Sequence, residues 1–522
     1  MFDSDDDLFL GAGGKNARQN YYRNLSKDEK SVYEEWSPEG KGDWKKNQKT
    51  PEQIQLSNAS YSPQQLEMEE LKAQPRQSPG QNFDRCFEAD VEVVGAHVDK
   101  RMVYPKFRHA FWQRSLVRNI EDSGYEKMTP VQKYAMPYVF QLRDVVAIAP
   151  TGSGKTAAYL LPIIYHILER GDLDWVLRDR AHPALAAIVV VPTRELAEQV
   201  KDEARRYAHG TKIQVVSVFG GTNIRSQVDY IRKNGCNILV GTPGRLYQHL
   251  RDGRFVLKKC QWVVLDEAHR LLENMEDEPA VHQILQFPGL PEGRWRNTLM
   301  FSATFPHSIR EVAENFLFDP VYVTVGKSGG ANEDIVQEVV LSPSFEKFDK
   351  LRALLGGDPK KEIGGKSKKT LIFVETKRSA EVVALRLSQL GWLVEKIHGD
   401  REQRERDEAL REFKAGKCSM LVATAVAARG LDVVGVDHVI NLDLPKTAEG
   451  YVHSIGRTGR VGNPGRATSY YEPNVDKEMA SPLVQILRDA KQEVPEWLVE
   501  YAGGKKRNER SQTRCGDSCE EE

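Results

Sequence analysis

The chain has 522 residues, room for two or three domains; 40% hydrophobic residues support buried cores, and 29% charged residues point to polar appendages as well. A formal net charge of −1 leaves no global basic field, so any nucleic-acid affinity has to come from a local groove. The six cysteines (Cys86, Cys236, Cys260, Cys418, Cys515, Cys519) lack a paired CxxC spacing and read as reduced packing thiols of an intracellular protein, with Cys515 and Cys519 in a polar tail.

Residues 1–95 mix Asn, Gln, Ser, Pro, Lys and Asp, with too few aliphatic clusters to offset ordering entropy. They are expected to form a disordered extension, open to protein partners and carrying Ser-Pro pairs at Ser37, Ser62 and Ser78. The opening MFDSDDDLFLGAGG is acidic where a signal peptide is basic and then apolar. No apolar run approaches the roughly 20 residues that cross a bilayer. The expectation is a protein without membrane segments, cytoplasmic, with the nucleus left open.

From 96 to 325, apolar runs (VVAIA, AAIVVV, IQVVSVF, NILVGT, WVVLDE, TLMFSAT) alternate with helical patterns, which predicts a parallel sheet covered on both faces. After the first run comes APTGSGKT, Ala149–Thr156, a glycine-rich loop between a strand and a helix. There the N–H groups of Thr151, Gly152, Ser153, Gly154, Lys155 and Thr156 would cradle a polyphosphate at a helix N-terminus. Lys155 would reach the β- and γ-phosphates, and the Thr156 hydroxyl would bind Mg²⁺. About a hundred residues on, VVLDEAH ends a strand in Asp266, placed to hold the metal, and Glu267, placed to orient the attacking water. Either motif alone is weak; in this order and context they indicate ATP with Mg²⁺.

Residues 326–345 read as a linker, and a second set of strands (TLIFVE, LVEKIHG, SMLVATAV, HVINLDL, RATSYYE) then spans 346–488 without a phosphate loop. Gly356–Lys369 has loop composition, and 489–522 reads as a short helix and a charged tail. Two α/β units, only one with a phosphate loop, imply a nucleotide cleft between them.

Taken together, the motifs resemble those of a DEAD-box RNA helicase, from Phe107 to about Leu498. GYEKMTPVQ, Gly124–Gln132, is similar to the family's adenine-sensing motif; the resemblance puts Phe107 and Tyr125 around the base and Gln132 on its edges. PTRELAEQ, the Gly220-Gly221 pair and TPGR carry Arg194, Gly221, Thr242 and Arg245 as an RNA track. On the second domain the resemblance assigns RNA contacts to Thr376, Gln403, Arg406 and Thr424, and a ribose contact to Asp432. HSIGRTGR supplies Arg457 and Arg460 as arginine fingers, and Ser302 and Thr304 of SAT couple hydrolysis to domain closure.

Two positions depart from that pattern. His269 stands at the box's fourth position, which contacts the SAT hydroxyls in relatives, and Ser454 stands where many relatives have arginine. The DEAH spelling belongs to a translocating helicase branch, but the adenine motif, His453 and PTRELAEQ all point to the DEAD-box pattern, and too few residues follow for that branch's accessory domains. VPEWL near the end is similar to the Vasa-related branch. The resemblance implies two tandem RecA-like P-loop NTPase domains in a monomeric ATP-dependent RNA helicase that locally unwinds or remodels RNA or RNA-protein complexes. It further suggests a cytoplasmic setting in RNP or perinuclear granules. An ATP-gated RNA clamp with weak unwinding, in a small-RNA or germline pathway, is the rival reading; a DNA-directed ATPase is the other.

Overall fold

The structure, a computed structural model, describes residues 90–99, 102–111, 113–169, 183–273, 280–326, 334–356, 369–424, 435–459 and 464–503. The expected N-terminal extension, residues 357–368 of the loop, Asp432, Arg460, the tail beyond 503 and the side chain of Gln403 lie outside the described residues.

Fourteen strands form two sheets among the described residues. The first contains β1 (Val91–Val94), β2 (Val145–Ile148), β3 (Ala187–Val190), β4 (Val215–Val218), β5 (Ile238–Gly241), β6 (Trp262–Asp266), β7 (Asn297–Ser302) and β8 (Val321–Val325), in the order β1-β8-β2-β7-β6-β3-β5-β4. All its pairings are parallel except β1 with β8. Successive side chains of a strand point to opposite faces, and both faces here are covered: Val145 and Ala147 enter one core, Val146 and Ile148 the other. That double burial is why the runs read as continuously apolar rather than alternating.

The second sheet, of β9 (Ile335–Leu341), β10 (Lys369–Val374), β11 (Val394–Ile397), β12 (Met420–Thr424), β13 (Val436–Asn441) and β14 (Gly465–Tyr471), is wholly parallel in the order β11-β12-β10-β13-β14-β9. Its faces are covered in the same way, Leu371 and Phe373 on one side, Ile372 and Val374 on the other.

Three boundaries differ from the sequence reading. Residues 335–341, expected in the linker, are β9, a full strand beside β14. Its Ile335, Gln337 and Val339 are buried while Val336 and Glu338 are exposed, the alternation of an edge strand rather than a buried run. β1 begins at Val91, inside the expected extension, because antiparallel pairing with β8 closes that sheet edge. The helices Ala480–Asp489 and Glu496–Ala502 pack on the second sheet: Leu483, Leu487 and Leu498 share a core with Ile335 and Tyr471, and Trp497 lies 5.4 Å from the Tyr471 ring. The segment from 489 to 503 is thus part of the second domain. Cys236, Cys260 and Cys418 are buried free thiols, and burial pushes Cys236 and Cys418 up, so they pack rather than react. Among the described residues no helix is long and apolar enough to cross a membrane.

Candidate functional site

The phosphate loop joins β2 to the helix Lys155–Glu169. Gly152 and Gly154 take φ of 78° and 86°, which turns the loop sharply enough to present its N–H groups. A Cβ on Gly154 would lie 2.5 Å from Gln132 Nε2, so the loop and the adenine motif interlock only with glycine there. Lys155 Nζ donates to the carbonyls of Ala149 (2.7 Å) and Pro150 (3.2 Å), folding its charge back over the cradle. Ser153 Oγ is buried without a hydrogen-bond partner.

Thr129 opens the helix Pro130–Phe140 with a capping box closed by Gln132. Gln132 Oε1 accepts from the Thr129 N–H (2.9 Å) and its Nε2 donates to Gly154 O (3.2 Å), so both ends of the amide are committed to protein. Reading a base edge from here means exchanging the longer bond, the one to Gly154. Phe107 and Tyr125 do meet, edge to face with ring centroids 5.8 Å apart, and the Tyr125 and Tyr207 hydroxyls lie 3.0 Å apart.

β6 delivers the carboxylates. Asp266 is buried; its Oδ2 accepts from the Tyr159 hydroxyl at 2.8 Å and its Oδ1 from the Glu267 N–H at 3.0 Å. Burial, reinforced by Glu267, pushes Asp266 up to about 6 against the pull of Lys155. A carboxylate left this short of positive charge beside the phosphate loop fits a divalent cation, with the Thr156 hydroxyl at the helix start as the partner ligand. Glu267 has φ 53°, a strained conformation for a residue with a side chain. Burial alone would raise its carboxyl, but Lys155 first, with Arg270 behind it, holds it down to about 2. Glu267 Oε2 is buried without a hydrogen-bond partner.

The second domain closes this cleft from the other side. A Cβ on Gly456 would lie 2.9 Å from Thr151 Oγ1, so the end of the helix Ala448–Ile455 rests on the phosphate loop. Arg457 follows it, its Nε donating to His453 O at 3.2 Å. The rings of His269 and His453 stack across the cleft, 5.2 Å apart and 20° from parallel. Burial, with Arg270, drives His453 down to about 3, so the ring is neutral. Glu267, His269 and His453 offer ligand atoms within 4.8 Å of one another. The Arg270 guanidinium 3.5 Å from His453 Nδ1 opposes a cation among them, and the trio is a polar contact between domains.

The expected track residues lie on both domains. The Arg194 guanidinium covers Gly221, where φ is 77° and a Cβ would meet Nη1 at 2.3 Å. Arg245 donates to Thr222 O and to Gln227 Oε1 at 3.2 and 3.1 Å. Burial, then repulsion from Arg194 and Arg254, lowers its pKa, so positive charge is concentrated at this end of the domain. Thr242 starts the helix Pro243–Arg251 without capping it, which leaves the N-terminal N–H groups to an outside acceptor. On the second domain Thr376 caps the helix Lys377–Gln389 through the Ser379 N–H, Arg406 Nε is buried without a partner, and Thr424 ends β12.

Sequence reading missed Tyr159, Gln227 and Glu449. Tyr159 sits one turn from Lys155 on one helix face, a spacing that marks it as a neighbour of the phosphate loop but says nothing of Asp266. Gln227, which ties Arg245 to His249, and Glu449, which crosses the cleft, have no local signal.

Residues 129–312 match the DEAD/DEAH box helicase family and residues 346–462 the helicase conserved C-terminal domain. The human probable ATP-dependent RNA helicase DDX4 is 41% identical over 510 residues, covering 96% of this chain and 68% of that one. Mouse ATP-dependent RNA helicase DDX4 is 42% identical (89% and 64% covered) and ATP-dependent RNA helicase glh-3 of Caenorhabditis elegans 40% (86% and 63%). The chain spans about two thirds of the length of these relatives. S. cerevisiae Dbp5 bound to RNA and ADP BeF3 shares the fold with TM-score 0.61 and 28% identity, over 75% of this chain and 95% of that one. Mss116p bound to ssRNA and AMP-PNP does so with TM-score 0.64 and 26% identity, over 78% and 82%.

Proposed function

The chain belongs to the DEAD-box family of ATP-dependent RNA helicases, and from that premise we propose that its two domains close together on ATP and one strand of RNA, and reopen on hydrolysis. The observation that carries this reading is the seating of Gly456 on Thr151, which puts the arginine-bearing end of one domain over the phosphate loop of the other.

In this mechanism the loop N–H groups from Thr151 to Thr156 take the phosphates, and Lys155 leaves the Ala149 and Pro150 carbonyls to join them. Phe107 and Tyr125 flank the adenine, Gln132 reads its edge, and Asp432 takes the ribose. Thr156 and Asp266 hold Mg²⁺, which when bound neutralises charge on the β- and γ-phosphates. Glu267, held fully ionised, is a poor base but a good acceptor; it orients water for a loose transition state that needs little proton transfer. Arg457 and Arg460 stabilise the charge that develops on the transferred phosphoryl.

Arg194, Gly221, Thr242 and Arg245 on one side, and Thr376, Gln403, Arg406 and Thr424 on the other, grip sugar and phosphate rather than bases, so recognition is sequence-independent. A strand bent to fit both sets no longer pairs in an A-form duplex, and strands part locally. The protein acts as a monomer on cytoplasmic ribonucleoprotein, of the RNP-granule kind, with protein partners reaching it through the extension.

The test is steady-state ATP hydrolysis with and without single-stranded RNA, with Glu267→Gln as the blank. RNA stimulation that vanishes in Glu267→Gln is the expected result. A wild-type rate no higher than the blank, with ATP and RNA both retained, would replace the helicase by an ATP-gated clamp.

A further inference from the structure

His269 gives the box an imidazole where the family pattern has a carboxylate, and the structure contains a carboxylate at the same meeting point from the other domain. Glu449 Oε1 lies 2.8 Å from His269 Nε2 and accepts from the Thr304 hydroxyl at 2.5 Å. The approach to the ring is off its N–H axis, a close polar contact rather than a straight hydrogen bond. His269 Nδ1 lies 2.6 Å from Ser302 Oγ, which in turn donates to Thr304 O at 2.5 Å. One oxygen of the second domain thus touches both the box and the SAT loop of the first.

We infer that Glu449 is a positioning residue for ATP hydrolysis: it supplies from the second domain the carboxylate that the box lacks, so that domain closure reaches the water-orienting Glu267 through His269. The inference rests on the two-domain ATPase reading above and adds the contact by which closure is sensed.

Local structure supports this role. Thr447 caps the helix Ala448–Ile455 through the Gly450 N–H, which fixes Glu449 in the first turn, where the helix dipole favours an anion. Burial opposes ionisation, but His269 and Thr304 hold the Glu449 carboxyl well below its usual range. His453, one turn on along the same face, brings its ring onto His269. Ser454 turns its hydroxyl back to Tyr451 O at 2.8 Å, so its side chain adds nothing to the cleft. His269 is 1% exposed and lies 3.7 Å from Glu267 Oε2, and any change in how Glu449 meets it is felt at the water-orienting carboxylate.

The arrangement reverses a simple expectation from family resemblance. His269→Asp, which restores the commoner spelling of the box, would here set a carboxylate against Glu449 and within reach of Glu267. Like charges at such distances in a buried site repel strongly. The substitution is expected to damage coupling, and Glu449→Gln, by removing one of the two charges, to repair it.

The experiment compares the full-length wild type, Glu449→Ala, His269→Asp and the double variant His269→Asp/Glu449→Gln. Turnover is measured without RNA and with saturating single-stranded poly(U), and interdomain closure is followed by fluorescence transfer in AMP-PNP plus poly(U). Glu449→Ala and His269→Asp should each lose about tenfold in RNA-stimulated kcat, roughly the worth of one charge-assisted contact. They should lose less in the unstimulated rate, and the double variant should recover to within about threefold of wild type. A His269→Asp protein that couples as well as wild type, or a double variant no better than His269→Asp, would overturn the inference. Should His269→Asp prove unstable to heat, Glu449→Ala decides alone: an unchanged ratio of stimulated to unstimulated rate sinks the idea. Wild type without RNA stimulation would count against the helicase reading, while the closure signal of Glu449→Ala would still judge this contact.

Discussion

The two domains share a parallel-sheet architecture but differ in what they bring to the cleft. The first has the strained Glu267 backbone at φ 53°, two left-handed glycines in the phosphate loop, a raised Asp266 and the unpartnered Ser153 and Glu267 oxygens. Among its described residues the second domain shows no phosphate loop; it presents one short capped helix, with Glu449 and His453 along it and Gly456 and Arg457 just beyond its end. The difference teaches that one domain is a site prepared for ligands and the other a set of charges that completes it. In the proposed mechanism neither half suffices alone, which makes closure the control point.

The largest way to break that comparison is to remove the second domain's charge. Arg457→Ala should lower kcat for ATP by about 10³-fold or more, the usual worth of an arginine finger. Nucleotide affinity, set mainly by the first domain, should hold. Fluorescent-ATP titration beside turnover checks this; a loss of affinity as large as the loss of kcat would deny the division of labour.

Next comes the independence of the cores. Leu498→Ala empties a fully buried position shared with Tyr471 and Leu487, and should destabilise the second domain by about 2–5 kcal/mol. Calorimetry should show one unfolding transition lowered and the first domain's transition in place.

Asp266→Asn sharpens the contrast in the opposite direction. Because burial raises Asp266 to about 6, wild type binds that proton more tightly folded than unfolded, and this stabilisation is present below pH ~4 and lost as pH rises through ~6. The neutral amide escapes the loss. The ligand-free variant should therefore unfold at higher temperature than wild type at pH 7, by up to about 3 kcal/mol, and show no advantage near pH 4. ATP turnover should be abolished, so stability and activity move apart.

The smallest effect concerns the track. Gly221→Ala would push the Arg194 guanidinium aside and strain the turn, and should weaken single-stranded RNA binding by roughly tenfold, about one charge-assisted hydrogen bond. Binding of ATP without RNA should not change, as a filter-binding series with each ligand would establish.

Much of this was legible in the amino-acid order. Eleven of the fourteen strands were marked by apolar runs, because burial on both faces of a parallel sheet writes itself as an unbroken apolar stretch. β1, β8 and β9 were not: buried residues alternate with exposed or half-buried ones along β8 and β9, and β1 buries only Val93, so none is covered on both faces throughout. The phosphate loop and the Asp266–Glu267 pair were legible because their chemistry is local: backbone N–H groups and neighbouring side chains act within a few residues. Tertiary structure alone decided that Gln132 ties its amide to Gly154, that Tyr159 holds Asp266, and that Glu449 meets His269 and Thr304 across 180 and 145 positions of chain. The first two contacts depend on how helices and loops pack on one sheet and the last on where the two sheets dock, and hydrophobic periodicity, which reports each element's own buried face, contains no record of either.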